Sequence, residues 1–156
     1  MEMGQILALI GAALSALVAG TGSARGVGIA GEASAGVVSE NPDVFGKCLV
    51  LQLLPGTQGI YGFLIAFIVL IRTNFLSGMI ALTETQGLQI LIGCFPVAIV
   101  GFLSAIWQGQ VAAAGINMVG IRPDQSGKGI LMAVMVETFA VLALLASFLM
   151  VWFVSI

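Results

Sequence analysis

The chain has 156 residues, of which 60% are hydrophobic and only 8% are charged, and it contains no histidine. Soluble domains are about 45–50% apolar, and an apolar surface of this extent excludes an ordinary water-soluble protein. A net charge of -2 gives no basic patch, so we exclude nucleic acid as a partner. The composition predicts a membrane protein whose solvent is lipid.

Four segments are long and apolar enough to cross a bilayer, which requires about 20 helical residues. They run from Gln5 to Val38, from Lys47 to Arg72, from Gly87 to Val119 and from Lys128 to Ser155. No Lys or Arg precedes Arg25, so we expect the first segment to be a retained span and not a signal peptide. The predicted fold class is an all-α membrane protein with four transmembrane helices in one transmembrane domain, residues 1–156.

Two of the breaks between these segments share a pattern. Residues 39–46 (SENPDVFG) and 121–127 (IRPDQSG) each contain Pro, then Asp, then Gly, which end helices and reverse the chain. Aligning them reveals an internal repeat of two helical hairpins, hairpin 1 (5–72) and hairpin 2 (87–155). The two turns share one side of the membrane. Basic residues flank them, so the positive-inside tendency predicts that they are cytoplasmic and that the protein lies in the cell membrane; these residues are Lys47, Arg122 and Lys128.

One carboxylate lies deep inside an apolar segment. Glu137, in MVETFAV, is about ten residues beyond its turn and has no basic neighbour on its own helix. A charge near the bilayer centre costs about 2.5–3.5 kcal/mol, so such a residue is expected to be functional. The alternative is a protonated carboxyl that is hydrogen-bonded inside a bundle. The repeat places Gly56 opposite Glu137, so only one hairpin keeps the carboxylate.

Oxygen-bearing groups occur at the level of this carboxylate. Pro55, in LLPGTQGIYG, removes a helical donor and by simple counting frees the Leu51 carbonyl first. Side-chain oxygens at similar distances from their turns, about 15–20 Å along the helix, belong to Thr57, Gln58 and Gln108. Hydrogen bonds between helices explain any one of these residues well, but they explain the whole set poorly.

This set of groups suits a hard monovalent cation. Carboxylate, hydroxyl and carbonyl oxygens are all ligands of hard cations, and one negative charge balances one positive charge. A proton needs fewer partners, because it can sit on Glu137 beside a single acceptor. The surplus of oxygens favours Na+, with H+ as its competitor or as the alternative ion.

Four motifs resemble the proteolipid K subunits of bacterial sodium-translocating vacuolar/archaeal-type ATPases. In chain order they are GSARGVGIAGEASAG, LLPGTQGIYGF, WQGQVAAAGI and VMVETFAV, and the resemblance covers nearly the whole chain. It implies a rotor ring of identical subunits, each a double hairpin with one carboxylate. It also implies Tyr61 as a hydrogen-bond donor to the carboxylate. The implied sodium ligands are the Leu54 carbonyl, Thr57, Gln58, Gln108 and Glu137. Two positions depart from the family pattern, Phe139 in place of Tyr and Arg25 in place of Lys.

The resemblance further implies partners and a mechanism. A stator membrane subunit with an essential Arg would face the ring, central-stalk subunits would contact the cytoplasmic turns, and membrane lipids would surround the ring. ATP hydrolysis would belong to other subunits, so we expect no enzyme here; the chain has no GxSxG motif and no paired catalytic carboxylates. The alternative outside the rotor class is a small four-helix cation-coupled exchanger, which would also carry one intramembrane Glu.

Overall fold

The computed structural model describes residues 2–156, and over that range the chain is all-helical. Within these described residues four stretches are long and apolar enough to cross a membrane, which confirms the predicted fold class and a multi-pass membrane protein. The second stretch contains two α-helices, so the described residues 2–156 hold five: α1 (Met3–Glu40), α2 (Phe45–Leu53), α3 (Thr57–Arg72), α4 (Glu84–Ile121) and α5 (Ser126–Trp152).

A short break divides the second span. A 3-10 turn, Leu54–Gly56, separates α2 from α3, and Pro55 lies in its centre. Proline has no N–H to donate and its ring clashes with the preceding helical turn, so a regular α-helix cannot continue through it. The tighter turn keeps the two helices in one span while it changes the direction of the local carbonyl groups. This break lies at the level where the sequence places its polar residues.

The helices form two layers. In the first layer α1 packs along α4, and in the second α3 and α5 lie against that pair and against each other. Glycines bring α1 and α4 together: a Cβ built at Gly109 would lie 2.6 Å from the Gly26 Cα, and a Cβ at Gly87 would lie 2.6 Å from the Gly4 Cα. Close backbone approach through small residues is the usual mode of helix packing in lipid, where dispersion drives association.

Polar side chains join the two hairpins at both ends of the bundle. At the turn end, Lys47 Nζ donates to the Pro123 carbonyl at 3.0 Å. At the opposite end, the Arg72 guanidinium donates to the Val151 and Val154 carbonyls at 3.3 and 3.0 Å and lies 5.4 Å from the centre of the Trp152 ring. Arg72 therefore satisfies carbonyls that the end of α5 leaves without helical donors.

The contact between α1 and α4 gives a prediction about stability. Gly109→Ala should lower the free energy of unfolding by about 1–3 kcal/mol, because the new methyl overlaps backbone atoms that cannot move aside cheaply. Gly36→Ala is the matched control, because a Cβ there meets nothing within 4 Å and alanine favours a helix by about 0.5–1 kcal/mol. Thermal unfolding in detergent, followed by circular dichroism, measures both. Equal stability of the two variants would contradict the packing described here.

Candidate functional site

The polar residues of the second, third and fourth spans meet in the middle of the bundle. Glu137 is eleven residues after the start of α5 and fifteen before its end, about 16 Å along the helix from Ser126. Gln108 extends from α4, and Thr57 and Gln58 form the first turn of α3. Gln58 and Gln108 are fully buried, so their amide groups must find partners inside the protein.

Two donors hold the Glu137 carboxylate. The Tyr61 hydroxyl donates to Oε1 at 2.6 Å, and Gln108 Nε2 donates to Oε2 at 3.3 Å. Hydrogen bonds to a carboxylate are stronger than bonds between neutral groups. Each of the two carboxylate oxygens of Glu137 thus accepts a bond from one protein side chain, Tyr61 on α3 and Gln108 on α4.

The network extends from Gln108 back to the break in the second span. Gln58 Nε2 donates to Gln108 Oε1 at 2.5 Å, and the Thr57 hydroxyl lies 3.4 Å from Gln58 Oε1. The same hydroxyl donates to the Leu54 carbonyl at 3.0 Å. One connected cluster thus contains every residue of the candidate set: Leu54, Thr57, Gln58, Tyr61, Gln108 and Glu137.

The 3-10 turn determines which carbonyl belongs to this cluster. Counting back one α-helical turn from Pro55 points to Leu51, whereas the carbonyl that contacts Thr57 is that of Leu54. The Leu54 carbonyl also accepts the Thr57 backbone N–H, the three-residue bond of a 3-10 turn. The tighter winding therefore moves the available oxygen three residues further along the chain than α-helical counting predicts.

Ser23 also contributes to the site, although no sequence pattern predicts its contact. Ser23 on α1 accepts the Gly59 N–H through its Oγ at 2.8 Å, just after the turn at Pro55. The bond attaches the first turn of α3 to α1 and so positions Thr57 and Gln58. Serine is common in helices rich in small residues, and Ser23 is 36 residues from Gly59, so the serine itself gives no signal in the sequence. The available signal is that the helix after Pro55 begins with backbone N–H groups that need acceptors from outside the helix.

The chemistry of the cluster fits a small hard cation. It offers carboxylate, hydroxyl, amide and backbone carbonyl oxygens on three helices, with a single negative charge. Glu137 also lines a surface depression of about 350 Å³ with Val134, Thr138, Val141 and Leu142. The carboxylate is therefore half-buried: it contacts polar groups on one side and borders an apolar surface depression on the other.

Comparison with known proteins identifies the family. The profile of the ATP synthase C-subunit family matches residues 10–69 and again residues 91–150, which confirms the duplication predicted from the turns. The chain is 47% identical to the V-type sodium ATPase subunit K of Enterococcus hirae, over 95% of this chain and 92% of that protein. It is 40% identical to the A-type ATP synthase subunit K of Methanocaldococcus jannaschii, over 93% of this chain and 61% of that longer protein. The chain therefore belongs to the ATP synthase C-subunit family and contains the family's repeat twice.

Proposed function

We propose that this protein is the ion-carrying subunit of the rotor ring of a V-type rotary ATPase and that it carries one Na+ on Glu137. The observation that carries the proposal is the convergence of three helices on one carboxylate near the middle of a membrane-spanning helix. The relative from Enterococcus hirae, whose name specifies a sodium ATPase, supports sodium as the ion. The repeat units of the protein would be hairpin 1 and hairpin 2 over their full lengths, 5–72 and 87–155, in one transmembrane domain.

The proposed ligands are five oxygens from the cluster. They are the Leu54 carbonyl, Thr57 Oγ1, Gln58 Oε1, Gln108 Oε1 and a Glu137 carboxylate oxygen. Gln108 presents its Nε2 to the carboxylate in this structure, and rotation of its amide by half a turn would present Oε1 to a cation instead. The Gln58 amide would rotate with it, because Gln58 Nε2 donates to Gln108 Oε1 in this structure and two amide donors cannot face each other. Tyr61 would keep its bond to the other carboxylate oxygen. The cluster would thus alternate between a hydrogen-bonded carboxylate and a cation-bound one without moving any helix.

Charge balance explains how such a site could travel through lipid. With Na+ bound the site carries no net charge, and without it the carboxylate is costly to expose to hydrocarbon. A fixed Arg on a stator subunit would stabilise the empty, negative Glu137 and so release the ion. Glu137 borders an apolar surface depression, where such a partner could reach it. Each ion released and rebound would then advance the ring by one subunit.

The orientation and the remaining partners follow from the same proposal. The turns at 39–46 and 121–127 would face the cytoplasm and contact the central stalk, and the ring would lie in the cell membrane. ATP hydrolysis would take place on other subunits of the complex. Membership of the ATP synthase C-subunit family favours this rotor role over a four-helix exchanger. A ring that carries H+ on the same carboxylate is the second candidate, because a proton needs only Glu137 and one acceptor.

Competition between Na+ and carbodiimide tests the choice of ion. The reagent attacks a protonated carboxyl, so Na+ should slow the labelling of Glu137 in the purified protein, and more strongly as pH rises because fewer protons compete. Potassium at equal ionic strength is the control for a general salt effect and should not slow the labelling. Glu137→Gln should abolish the labelling, which shows that Glu137 is the residue that reacts. Labelling that follows pH but ignores Na+ would identify a proton carrier and refute sodium binding.

The amide ligands give a second test. Gln108→Leu should weaken protection by Na+ at least about tenfold, equivalent to about 1.4 kcal/mol, because the site loses an oxygen from α4. Labelling of Glu137 without Na+ should persist. Gln110→Leu is the matched control, because Gln110 lies two residues further along the same helix and is exposed. The midpoint of Na+ protection measures both variants, and equal midpoints would remove Gln108 from the ligand set.

A further inference from the structure

An apolar groove on hairpin 2 lies outside the candidate ion site. It runs between α4 and α5, contains no residue of hairpin 1 in its lining, and has a volume of about 220 Å³. Its lining is almost wholly apolar. The lining residues are Val100, Leu103, Ser104, Trp107, Val136 and Phe139.

The internal repeat relates this groove to a surface that is already covered. The two family matches are offset by 81 residues, and subtracting that offset from the lining residues gives Ala19, Gly22, Ser23, Gly26, Pro55 and Gln58. These residues form the face of hairpin 1 on which α4 packs. For example, a Cβ built at Gly26 would lie 2.9 Å from the Ala105 carbonyl carbon, and a Cβ at Gly101 would lie 3.1 Å from the Ala19 Cβ. The groove is thus the uncovered counterpart of an occupied interface.

Residues related by the 81-residue offset of the repeat differ in exposure as this comparison predicts. Leu51 and Gln58 on hairpin 1 are 0% exposed, whereas their repeat counterparts Met132 and Phe139 are 57% and 64% exposed. The two hairpins therefore present equivalent faces, of which only the first is buried within the chain.

The surface that would cover the groove is also found in this chain. Hairpin 1 is covered by Gly101, Ala105 and Gly109 of α4, whose repeat counterparts are Gly20, Ala24 and Gly28 of α1. A Cβ built at Gly20 or Gly28 meets nothing within 4 Å. The Gly20, Ala24 and Gly28 face of α1 thus has the same pattern of small residues as the face of α4 that covers hairpin 1. Within the described residues 2–156 the two glycines of this α1 face have no neighbour beside them.

We infer that the groove of hairpin 2 receives the Gly20, Ala24 and Gly28 face of α1 from a second copy of this chain, and that Phe139 fills an inactive counterpart of the ion site at this boundary. In that counterpart the carboxylate position is Gly56 of the second copy and the Gln108 position is its Val27. The position of Gln58 is taken by Phe139. The aromatic ring occupies the volume left by the missing carboxylate and amide side chains.

The polar contact at the turns should repeat as well. Within the chain, Lys47 donates to the Pro123 carbonyl, and the counterparts of these residues are Lys128 and Pro42. Lys128 of one copy would therefore donate to the Pro42 carbonyl of the next. Both residues are exposed in the single chain, as a contact between copies requires.

The inference rests on the proposed function only for the assembly of copies into a ring, so its test does not use Na+. The double variant Gly20→Cys with Phe139→Cys, in a background where Cys48 and Cys94 are alanine, should form disulfides between copies. The corresponding pair within the chain has its Cβ atoms 3.8 Å apart at Gly101 and Gln58, which suits a disulfide. On a denaturing gel the monomer band should be lost to a reducible ladder of oligomers.

The control replaces Gly20 by another open glycine of the same helix. Gly36 also has no neighbour within 4 Å, but it points about 160° away from Gly20 around the helix and lies about 24 Å along it. Gly36→Cys with Phe139→Cys should leave the monomer band. A ladder from this control as strong as that from the Gly20 pair, or no ladder from the Gly20 pair, would overturn the inference.

A second measurement covers the case in which the cysteine variants fail to assemble. Gly20→Leu should fold, because a Cβ at that position meets nothing within 4 Å, but it should reduce the ring fraction in mild detergent. Gly36→Leu should leave the ring fraction unchanged. Intact rings from Gly20→Leu would refute the docking surface. Protection of Glu137 by Na+, measured in the same samples, reports separately on the proposed function.

Discussion

A carboxylate near the middle of a helix long and apolar enough to span a membrane is the constraint on which the rest of the structure depends. Unpaired, it would cost several kcal/mol, and the chain meets that cost with donors from two other helices. Tyr61 and Gln108 bond the carboxylate directly, and Gln58 orients Gln108. The break at Pro55 adds a backbone carbonyl to the same cluster. The positions of α3, α4 and α5 are therefore tied to the polar chemistry of one residue.

The glycine contacts make this cluster possible. The amide side chains reach one another only if the helices that carry them approach closely, and glycines provide that approach where larger residues would separate the backbones. A Cβ built at Gly101 would lie 3.8 Å from the Gln58 Cβ, so even an alanine there would sit directly beside the network. Close packing of the helices and assembly of the hydrogen-bonded cluster around Glu137 are thus two results of the same small residues, and neither can change without affecting the other.

The sequence predicted the spans and the members of the cluster because polar residues are rare in these helices. Glu137 is identifiable from its isolation among apolar residues, and Gln108 from its distance to the turn. Spacing along the chain could not predict the pairing of atoms, because Tyr61 and Glu137 are 76 residues apart and meet only through the packing of α3 on α5. The bond between them was expected only from the family resemblance. Ser23 resembles the other small residues of α1. The Leu54 carbonyl depends on a 3-10 turn that α-helical counting does not describe.

In the proposed ring, duplication would explain how one interface between hairpins lost its ion site while the other kept it. In a ring of identical single hairpins every interface has the same sequence, so a substitution of the carboxylate removes every site at once. Fusing two hairpins produces two kinds of interface, and each can change independently. In the proposed ring, Phe139 against Gly56 would seal the second kind with apolar atoms and halve the charges carried per turn. Since each charge that crosses the membrane requires about 2.3 kcal/mol per 100 mV, a ring with fewer charges per turn can pump against a steeper gradient.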